Sequence, residues 1–349
     1  MSRLQRNIGY KSGRIFYADC LRAAATFAVV VLHVASASWG LADVRTFEWQ
    51  TLNVYNTATR FCVPIFLMLS GMLFLNPDKK IDIRDIFFKY IPRIAMAFLF
   101  WSFLYNSYDA GHFTFSGVFT DYHYHLWYLY VIIGLYLVVP LVRHMVNSAS
   151  RREVEYFLLL SFFFTFVVKT LSQIPTLEWI ADISDKFEMH YVIGYMGYFV
   201  WGYYLHTYYL GKFQRKMIYI CGVMGFLETA VLSGIVSVST DMHYQLFYSN
   251  FSVGVLLMSV AIFVLFKYNC DETKAGIFLK NRIISVAKCS FGMYLVHDFF
   301  NILFGQMGYT ALTFNPVFCV LPLSAAVSAA SYLVSIVMSK IPFFRSYTM

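Results

Sequence analysis

Three polar residues stand inside the first long apolar stretch of the chain: Asp19, Arg22 and His33. Near the centre of a membrane helix each charged side chain costs roughly 2.5–3.5 kcal/mol, so a function is the first explanation to consider. On an α-helix, Arg22 and His33 lie within about 20° of each other and about 16 Å apart along the axis. Asp19 lies one turn before Arg22. The spacing predicts an ion pair near one membrane surface, with Asp19 holding Arg22, and an imidazole base deeper on the same face. The alternative is a structural ion pair and a core histidine.

A second cationic group follows at Arg84, Lys89 and Arg93. Lys89 and Arg93 are four residues apart and share a helix face. Arg93 lies about two turns into an apolar run, which is deep for a side chain that only contacts lipid headgroups. Together with Arg22, these residues predict a positive cluster that suits a phosphorylated ligand. For Arg84 and Lys89, headgroup contact stays open.

Further ionisable residues lie within apolar runs. They are Arg60, Glu228 and the pair His297-Asp298. Such residues are functional candidates by default, because burial of an unpaired charge is costly. A buried, protonated and hydrogen-bonded acid is the alternative for Glu228.

The composition is that of a membrane protein. Of 349 residues, 59% are hydrophobic and only 13% are charged, against about 25% charged in soluble domains. The chain has no long polar block, which predicts a single all-α integral-membrane domain over residues 1–349 and no nucleic-acid binding. Six cysteines occur without a Cys-x-x-Cys pair, and neither a metal-ligand signature nor a glycine-rich phosphate loop is present. We therefore expect no metal and no bound cofactor.

Helix-length apolar runs divide the chain into ten candidate spans. They fall at about 15–37, 55–75, 86–108, 125–145, 154–173, 190–209, 216–238, 248–267, 286–306 and 316–338. Each run has roughly the length that a bilayer requires. The boundaries predict a basic segment at 1–14, a ten-helix bundle at 15–338 and a tail at 339–349.

Positive charge alternates between the loops. Lysine and arginine cluster before the first span, after spans 2, 4, 6 and 8, and in the tail, whereas the other loops hold only Arg45 and Lys186. The positive-inside rule then places both termini in the cytoplasm and requires an even number of spans. Arg22 lies near the cytoplasmic end of its helix in this orientation, and His33 lies toward the outer leaflet.

The outward loops are rich in aromatic residues and carboxylates. Trp39 and Trp49 lie in the first of them, Tyr122 and Tyr124 in the second, and Trp179 in the third. Aromatic faces and carboxylates suit a polyhydroxylated ligand, which presents apolar ring faces and hydroxyl donors. The alternative is the aromatic belt of any membrane protein.

Five motifs resemble those of the acyltransferase 3 family of integral-membrane acyltransferases, which includes bacterial surface-polysaccharide O-acetyltransferases. The motifs are Tyr17-x-Asp19-x-x-Arg22 followed by His33, Arg60-x-x-Val63-Pro64-Ile65-Phe66-x-x-x-Ser70-Gly71, Lys89-x-x-x-Arg93, His125-Leu126-Trp127 and Ser290-x-x-x-Tyr294-Leu295-x-His297. The third motif has Lys89 where arginine is common in the family. The resemblance extends over nearly the whole chain and agrees with ten spans.

The resemblance implies an acyl-CoA donor, acetyl-CoA in particular, and a hydroxyl acceptor on a cell-surface carbohydrate or its lipid-linked precursor. His33 is then the general base, with Asp298 or Glu228 as the carboxylate that orients it. The family also implies a multi-pass protein of the bacterial inner membrane, in contact with membrane lipid. We expect Arg22, Lys89 and Arg93 to bind the donor. On the acceptor side we expect Arg60, Ser70, His125, Trp127 and His297.

Two other functions stay open at this point. The buried charges would also suit a transporter or flippase for a lipid-linked sugar or polysaccharide. The chain could equally be a non-catalytic partner in polysaccharide export. Within the enzyme interpretation, a covalent acyl-His33 intermediate is a variant of general-base catalysis. The sequence gives no indication of the oligomeric state.

Overall fold

The computed structural model describes residues 14–109, 117–120, 122–177, 179–187, 194–342 and 344. Within these ranges the chain is helical and contains no β-strand. The basic segment at 1–14, apart from Arg14, lies outside the described residues, as do the end of the tail and the start of the predicted run 190–209.

Fifteen α-helices follow one another along the described residues. They are α1 (Phe16–Trp39), α2 (Phe47–Thr59), α3 (Cys62–Phe74), α4 (Ile83–Asp85), α5 (Ile91–Asp109), α6 (Gly117–Thr120), α7 (Trp127–Ser148), α8 (Arg151–Leu160), α9 (Val168–Leu171), α10 (Trp179–Asp185), α11 (Met196–Thr207), α12 (Lys212–Thr240), α13 (Val253–Asn269), α14 (Ile277–Gln306) and α15 (Pro316–Lys340). Short π-helical stretches join α4 to α5 and α8 to α9.

Nine helical segments in the described part of the chain are long and apolar enough to cross a membrane. The prediction of an all-α polytopic membrane protein is therefore confirmed. The remaining predicted span, the sixth at 190–209, corresponds to α11, which has 12 residues. A helix of that length covers about 18 Å, less than the roughly 30 Å of hydrocarbon. Because α11 is buried among other helices, it does not need an apolar surface of full membrane height.

Loops that share a charge type also share an end of the bundle. At one end, Arg143 donates to the carbonyl of Phe74, and Lys267 donates to the carbonyl oxygens of Leu205, His206 and Tyr208. At the other end, the loops after spans 1, 5 and 7 meet. Three contacts join them: Arg45 to Asp241 at 3.2 Å, His243 to the Ala42 carbonyl at 2.9 Å, and Tyr244 to the Gln173 carbonyl at 3.0 Å. This pairing fits ten crossings, and the charge pattern assigns the first end to the cytoplasm.

The second span differs from its predicted boundaries of 55–75. It runs from Phe47 to Phe74 and is interrupted at Arg60, where α2 ends and α3 begins. The predicted boundaries put Arg60 near the start of the span, whereas the structure puts it near the middle. The boundary was predicted too late because Glu48, Gln50 and Asn53, which precede it, lower the hydropathy from which it was read, although Asn53 is buried within the protein.

Helices α3 and α11 cross at very close range through two glycines. A Cβ atom built on Gly71 would lie 1.8 Å from the carbonyl oxygen of Phe199, and one built on Gly202 would lie 1.9 Å from that of Met68. Membrane helices use small residues in this way because van der Waals packing replaces the hydrophobic driving force. The crossing places α3 firmly in the bundle core, beside α1 and α7.

Candidate functional site

His33 is linked to Asp298 through one tyrosine hydroxyl. The Tyr124 hydroxyl lies 3.1 Å from Nδ1 of His33 and 2.9 Å from Oδ1 of Asp298. These residues come from three separate places, namely α1, the short 3-10 helix Tyr124–Leu126 before α7, and the middle of α14. Tyr124 was not among the sequence candidates, because a tyrosine in an outward loop has the same appearance as an interfacial aromatic.

Asp298 accepts two further contacts. Nε2 of His123 lies 3.3 Å from Oδ2, and the Asn301 side-chain amide donates to Oδ1 at 3.2 Å. The carboxylate is 1% exposed, so these partners replace the water that it lost. His123 in turn lies 2.9 Å from His125, between their Nδ1 atoms. The carboxylate is therefore fixed in place on both of its oxygens.

The direction of the hydrogen bonds along His33, Tyr124 and Asp298 assigns the tautomer of His33. A tyrosine hydroxyl has one proton, and that of Tyr124 goes to the carboxylate of Asp298. Nδ1 of His33 must then carry the proton that it donates to the Tyr124 oxygen. This leaves the Nε2 lone pair of His33 free to accept a proton, which is the form that a general base requires.

His297 and His125 complete a cluster of imidazoles around His33. The His297 ring centre lies 4.9 Å from that of His33 and 5.2 Å from that of His125. Nδ1 of His297 bonds to the Tyr294 carbonyl at 2.6 Å. The Nε2 atoms of His297 and His125 are buried and have no hydrogen-bond partner among the described residues. Unpaired buried nitrogens of this kind mark a place where a polar ligand group or water fits.

Two sets of side chains in this cluster have the spacing of metal ligands. The first is His33, His297 and Asp298, and the second is His123, His125 and Asp298. The sequence showed no such signature, because the ligand atoms come from three separate elements. Both sets need an oxygen of Asp298, and both oxygens already accept contacts from Tyr124, Asn301 and His123.

A cavity of about 330 Å³ lies toward the cytoplasmic end of the bundle, below the histidine cluster. Four cationic side chains line it: Arg22, Arg93, Lys79 and Lys288. Tyr90, Tyr128 and Tyr136 line it as well. Among the described residues no ion pair joins any of these four side chains to a carboxylate, so the four positive charges are available to an anion. This volume lies at the lower end of the range for small-molecule sites.

Lys79 lies in the loop between α3 and α4, outside the membrane spans. Burial lowers the pKa of its ammonium group, and the positive charges of Lys89 and Arg143 lower it further. Repulsion among these neighbouring positive charges is relieved when an anion binds, so the cluster favours anion binding. Sequence reasoning missed Lys79 because it belongs to a positive loop, where the topology rule already explains a lysine. It missed Lys288 because that residue lies near the cytoplasmic start of a predicted span, where a lysine can reach the lipid headgroups.

Three aromatic side chains separate this cavity from His33. Phe66, Tyr128 and Tyr294, here called the aromatic collar, line both the cationic cavity and a second cavity of about 30 Å³. The Tyr128 ring centre lies 6.4 Å from that of Phe66 and 5.8 Å from that of Tyr294. The small cavity is lined by His33, His125 and Trp127, among others.

Arg60 lies beside His33, at the break between α2 and α3. It donates to Oδ1 of Asn56 at 2.8 Å, and Ser36, one turn after His33 on α1, donates to the same oxygen at 2.7 Å. The guanidinium also packs 4.5 Å from the Tyr248 ring centre. It has no carboxylate partner among the described residues, and its Nε is buried without a hydrogen bond.

The structure corrects several of the sequence assignments. Asp19 is paired with Arg14, at 2.5 Å and 2.9 Å, so its expected pairing with Arg22 was wrong. Arg14 and Arg22 both lie about one helical turn from Asp19 in sequence, so spacing alone does not show which of them pairs with it. Lys89 is exposed and does not line the cationic cavity, where Lys79 stands instead.

Two further candidates lie apart from His33. Glu228 packs against Gly254 at the α12–α13 interface and makes no described contact with the histidine cluster. Asp298 is therefore the carboxylate of the site. Ser70 lines the cationic cavity and not the acceptor side. His125, Trp127 and His297 lie beside His33, and Arg60 is connected to α1 one turn after His33 through Asn56 and Ser36.

Fold and site together define a polytopic membrane protein with a histidine cluster at a small cavity and a cationic cavity on the other side of the aromatic collar. The chain belongs to the acyltransferase 3 family, because the profile of that family, described as "Acyltransferase domain", matches residues 15–339. It is therefore a membrane acyltransferase. The comparison with curated proteins and the comparison with solved structures each gave no match.

Proposed function

We propose that the protein is an O-acyltransferase of the bacterial inner membrane that moves an acyl group, acetyl in particular, from acyl-CoA to a carbohydrate hydroxyl. The observation that supports this proposal is that the cationic cavity and the small cavity at His33 meet at the three residues of the aromatic collar. The proposed acceptor is a cell-surface polysaccharide or its lipid-linked precursor.

The cationic cavity supports a CoA donor. CoA has a triply phosphorylated head and a long, thin arm that ends in a thioester. Arg22, Arg93, Lys79 and Lys288 supply charge and hydrogen-bond donors for the phosphates, and the guanidinium forks suit phosphate oxygens. The arm would pass between the rings of the collar. Its reactive end then reaches His33, about 16 Å along α1 from Arg22.

His33 supports general-base catalysis through its free Nε2. In the proposed step, Nε2 takes the proton of the acceptor hydroxyl while that oxygen attacks the thioester carbonyl carbon. The tetrahedral intermediate collapses, the carbon–sulfur bond breaks, and the imidazolium returns its proton to the leaving thiolate. The products are an O-acyl carbohydrate and free CoA.

Asp298 acts through Tyr124 as a positioning residue. The imidazolium that forms on His33 is stabilised because its Nδ1 proton points through the Tyr124 hydroxyl to a carboxylate. His297 and His125 present unpaired nitrogens to the same space and would orient the reacting groups. Arg60, on the outer side of His33, suits a negatively charged group on the acceptor.

A transfer assay tests the proposal. Membranes that contain the full chain are incubated with radiolabelled acetyl-CoA, and the label in the glycan fraction is counted. We expect His33→Ala to abolish transfer, and His144→Ala, which removes an exposed histidine at the cytoplasmic end of α7, to leave it unchanged. Full activity of His33→Ala would refute the base, and absence of labelling by the wild-type protein would refute the donor.

Rapid-quench labelling separates the two chemical routes. A covalent intermediate would appear as label on His33 before any label appears on glycan. With direct attack by the hydroxyl, no labelled protein accumulates. The free Nε2 of His33 suits either role, and the aligned carboxylate stabilises the cation in both.

A further inference from the structure

The small cavity at His33 has an apolar side that the reaction scheme leaves unused. Beside the histidines, it is lined by Val29 and Leu32 of α1 and by Val63 of α3. Val29 lies one turn before His33, so the apolar wall and the base share one helix face. Its volume is only about 30 Å³.

This wall belongs to a hydrophobic cluster separate from the main core. Its buried members are Ala28, Val29, Leu32 and Cys62, and Val63 and Phe66 pack against it. Val29 is 3% exposed and Leu32 is 8% exposed, so neither side chain can move aside into solvent. The wall is therefore packed from behind and resists enlargement.

We propose that this small cavity, which we call the acyl subsite, binds the acyl group of the donor and limits it to a short, uncharged chain of about two carbons. The inference rests on the proposed acyl-CoA function and adds the residues that limit the size and the charge of the acyl group. The acyl group of the bound donor would pass the aromatic collar and place its carbonyl beside His33. Its methyl end would then contact Val29, Leu32 and Val63.

The volume sets the length limit. On this measure a single water needs about 10–15 Å³, so the subsite has room for two to three water-sized groups at about that size. Acetyl consists of a methyl group and a carbonyl group and fits this space. Butyryl adds two methylenes, which would overlap the side chains of Val29 or Val63. Overpacking of a wall that is supported from behind is unfavourable.

The chemistry of the lining sets the charge limit. The side chains of the subsite are aliphatic, aromatic and imidazole, without lysine or arginine. A dicarboxylic acyl group such as succinyl would bury a carboxylate against valine and leucine in a subsite that no lysine or arginine lines; Arg60 is not one of the lining residues. Such burial is costly.

Rates with two donors test the length limit. The full chain in membranes is assayed with acetyl-CoA and butyryl-CoA, and CoA thiol release dependent on added glycan extract is measured. Because one methylene in an apolar pocket changes specificity by about 10–200-fold, we expect the wild-type protein to favour acetyl-CoA by about 100-fold or more in kcat/KM. Val29→Ala removes two methyl groups and should reduce that preference at least tenfold.

A matched variant separates the subsite from general loosening. Val30→Ala makes the same change one residue further along α1, where the side chain is 1% exposed and packs in a different cluster. It should keep the wild-type preference. Val63→Ala approaches the subsite from α3 and should act like Val29→Ala, which keeps the inference testable if one variant does not fold.

The results of these assays test the acyl subsite separately from the proposed acyltransferase function on which it rests. Equal use of butyryl-CoA and acetyl-CoA by the wild-type protein would overturn the subsite while the acyltransferase proposal stands. The same relaxation in Val30→Ala would also overturn it. Thiol release from neither donor would overturn the proposed function and the inference together.

Discussion

Replacing Tyr124 by phenylalanine isolates the link between His33 and Asp298. The change removes one oxygen atom and keeps the ring, whose centre lies 5.2 Å from that of His33. Two hydrogen bonds disappear, at 3.1 Å and 2.9 Å. His33 loses the acceptor that holds its Nδ1 proton, so its ring can turn and its Nε2 is no longer aimed.

The expected loss follows from these contacts. A hydrogen bond to a charged group is worth about 1.5–3 kcal/mol, and the bond from His33 becomes charge-assisted only when the imidazolium forms. Because 1.36 kcal/mol corresponds to a tenfold change in rate, kcat should fall about 10- to 100-fold. The KM for acyl-CoA should change little, because Tyr124 does not line the cationic cavity.

The assay is initial-rate thiol release at saturating donor, with protein levels in the membrane quantified. Tyr130→Phe is the matched control, since its hydroxyl bonds to the Phe119 carbonyl, away from the cluster. Asp298→Asn should reproduce the direction of the Tyr124→Phe effect, because the charge at the end of the link is lost. A Tyr124→Phe enzyme with kcat within twofold of wild type would refute the proposed tautomer and the link.

Four more predictions concern the surroundings of the site. Arg22→Ala should raise the KM for acyl-CoA more than that for the acceptor, because it removes a phosphate contact, and an unchanged donor KM would exclude that role. Because burial and neighbouring cations lower the pKa of Lys79, donor binding should weaken with rising pH before the ordinary lysine pKa of about 10.4 is reached. Lys79→Arg, which stays charged, should extend binding to higher pH, and identical KM-against-pH curves would contradict this. Gly202→Ala should lower the thermal unfolding temperature in detergent, since its Cβ would meet the backbone of α3, while Gly134→Ala, with nothing within 4 Å, should not; equal shifts would count against the close crossing. Chelator treatment should leave transfer intact if His33 acts as a base, and loss of activity that zinc restores would instead assign a metal to the histidine cluster.

The sequence predicts the helices better than it predicts the contacts between them. Apolar runs and the alternation of loop charge are local properties, and they sufficed for the membrane class and for the two ends of the bundle. The second span was predicted to begin too late because its first turns hold Glu48, Gln50 and Asn53, and Asn53 is buried against protein neighbours that replace lipid there. The helix α11 was anticipated at the right place, although interior packing permits it to be short.

For the side chains of the site, too, the sequence predicts what lies on one helix and does not predict the contacts between elements. The helical spacing of Arg22 and His33 was readable because both lie on one helix, and Arg22 does line the cationic cavity. Tyr124 and Lys288 come from other parts of the chain, and only tertiary contact brings them to the site. The choice of Asp298 over Glu228 depends on the distance of each carboxylate from His33 in the folded protein, and the positions along the chain do not give that distance.

The aromatic collar has a consequence for the membrane as an electrical insulator. The cationic cavity extends from the cytoplasmic end up to Phe66, Tyr128 and Tyr294. Only the part of the protein beyond these rings therefore blocks the passage of ions and protons across the membrane. Several titratable groups lie just beyond the collar and would conduct protons if water bridged the two cavities. A smaller side chain at Phe66 should therefore make vesicles that contain the protein leak protons, whether or not any acyl group is transferred.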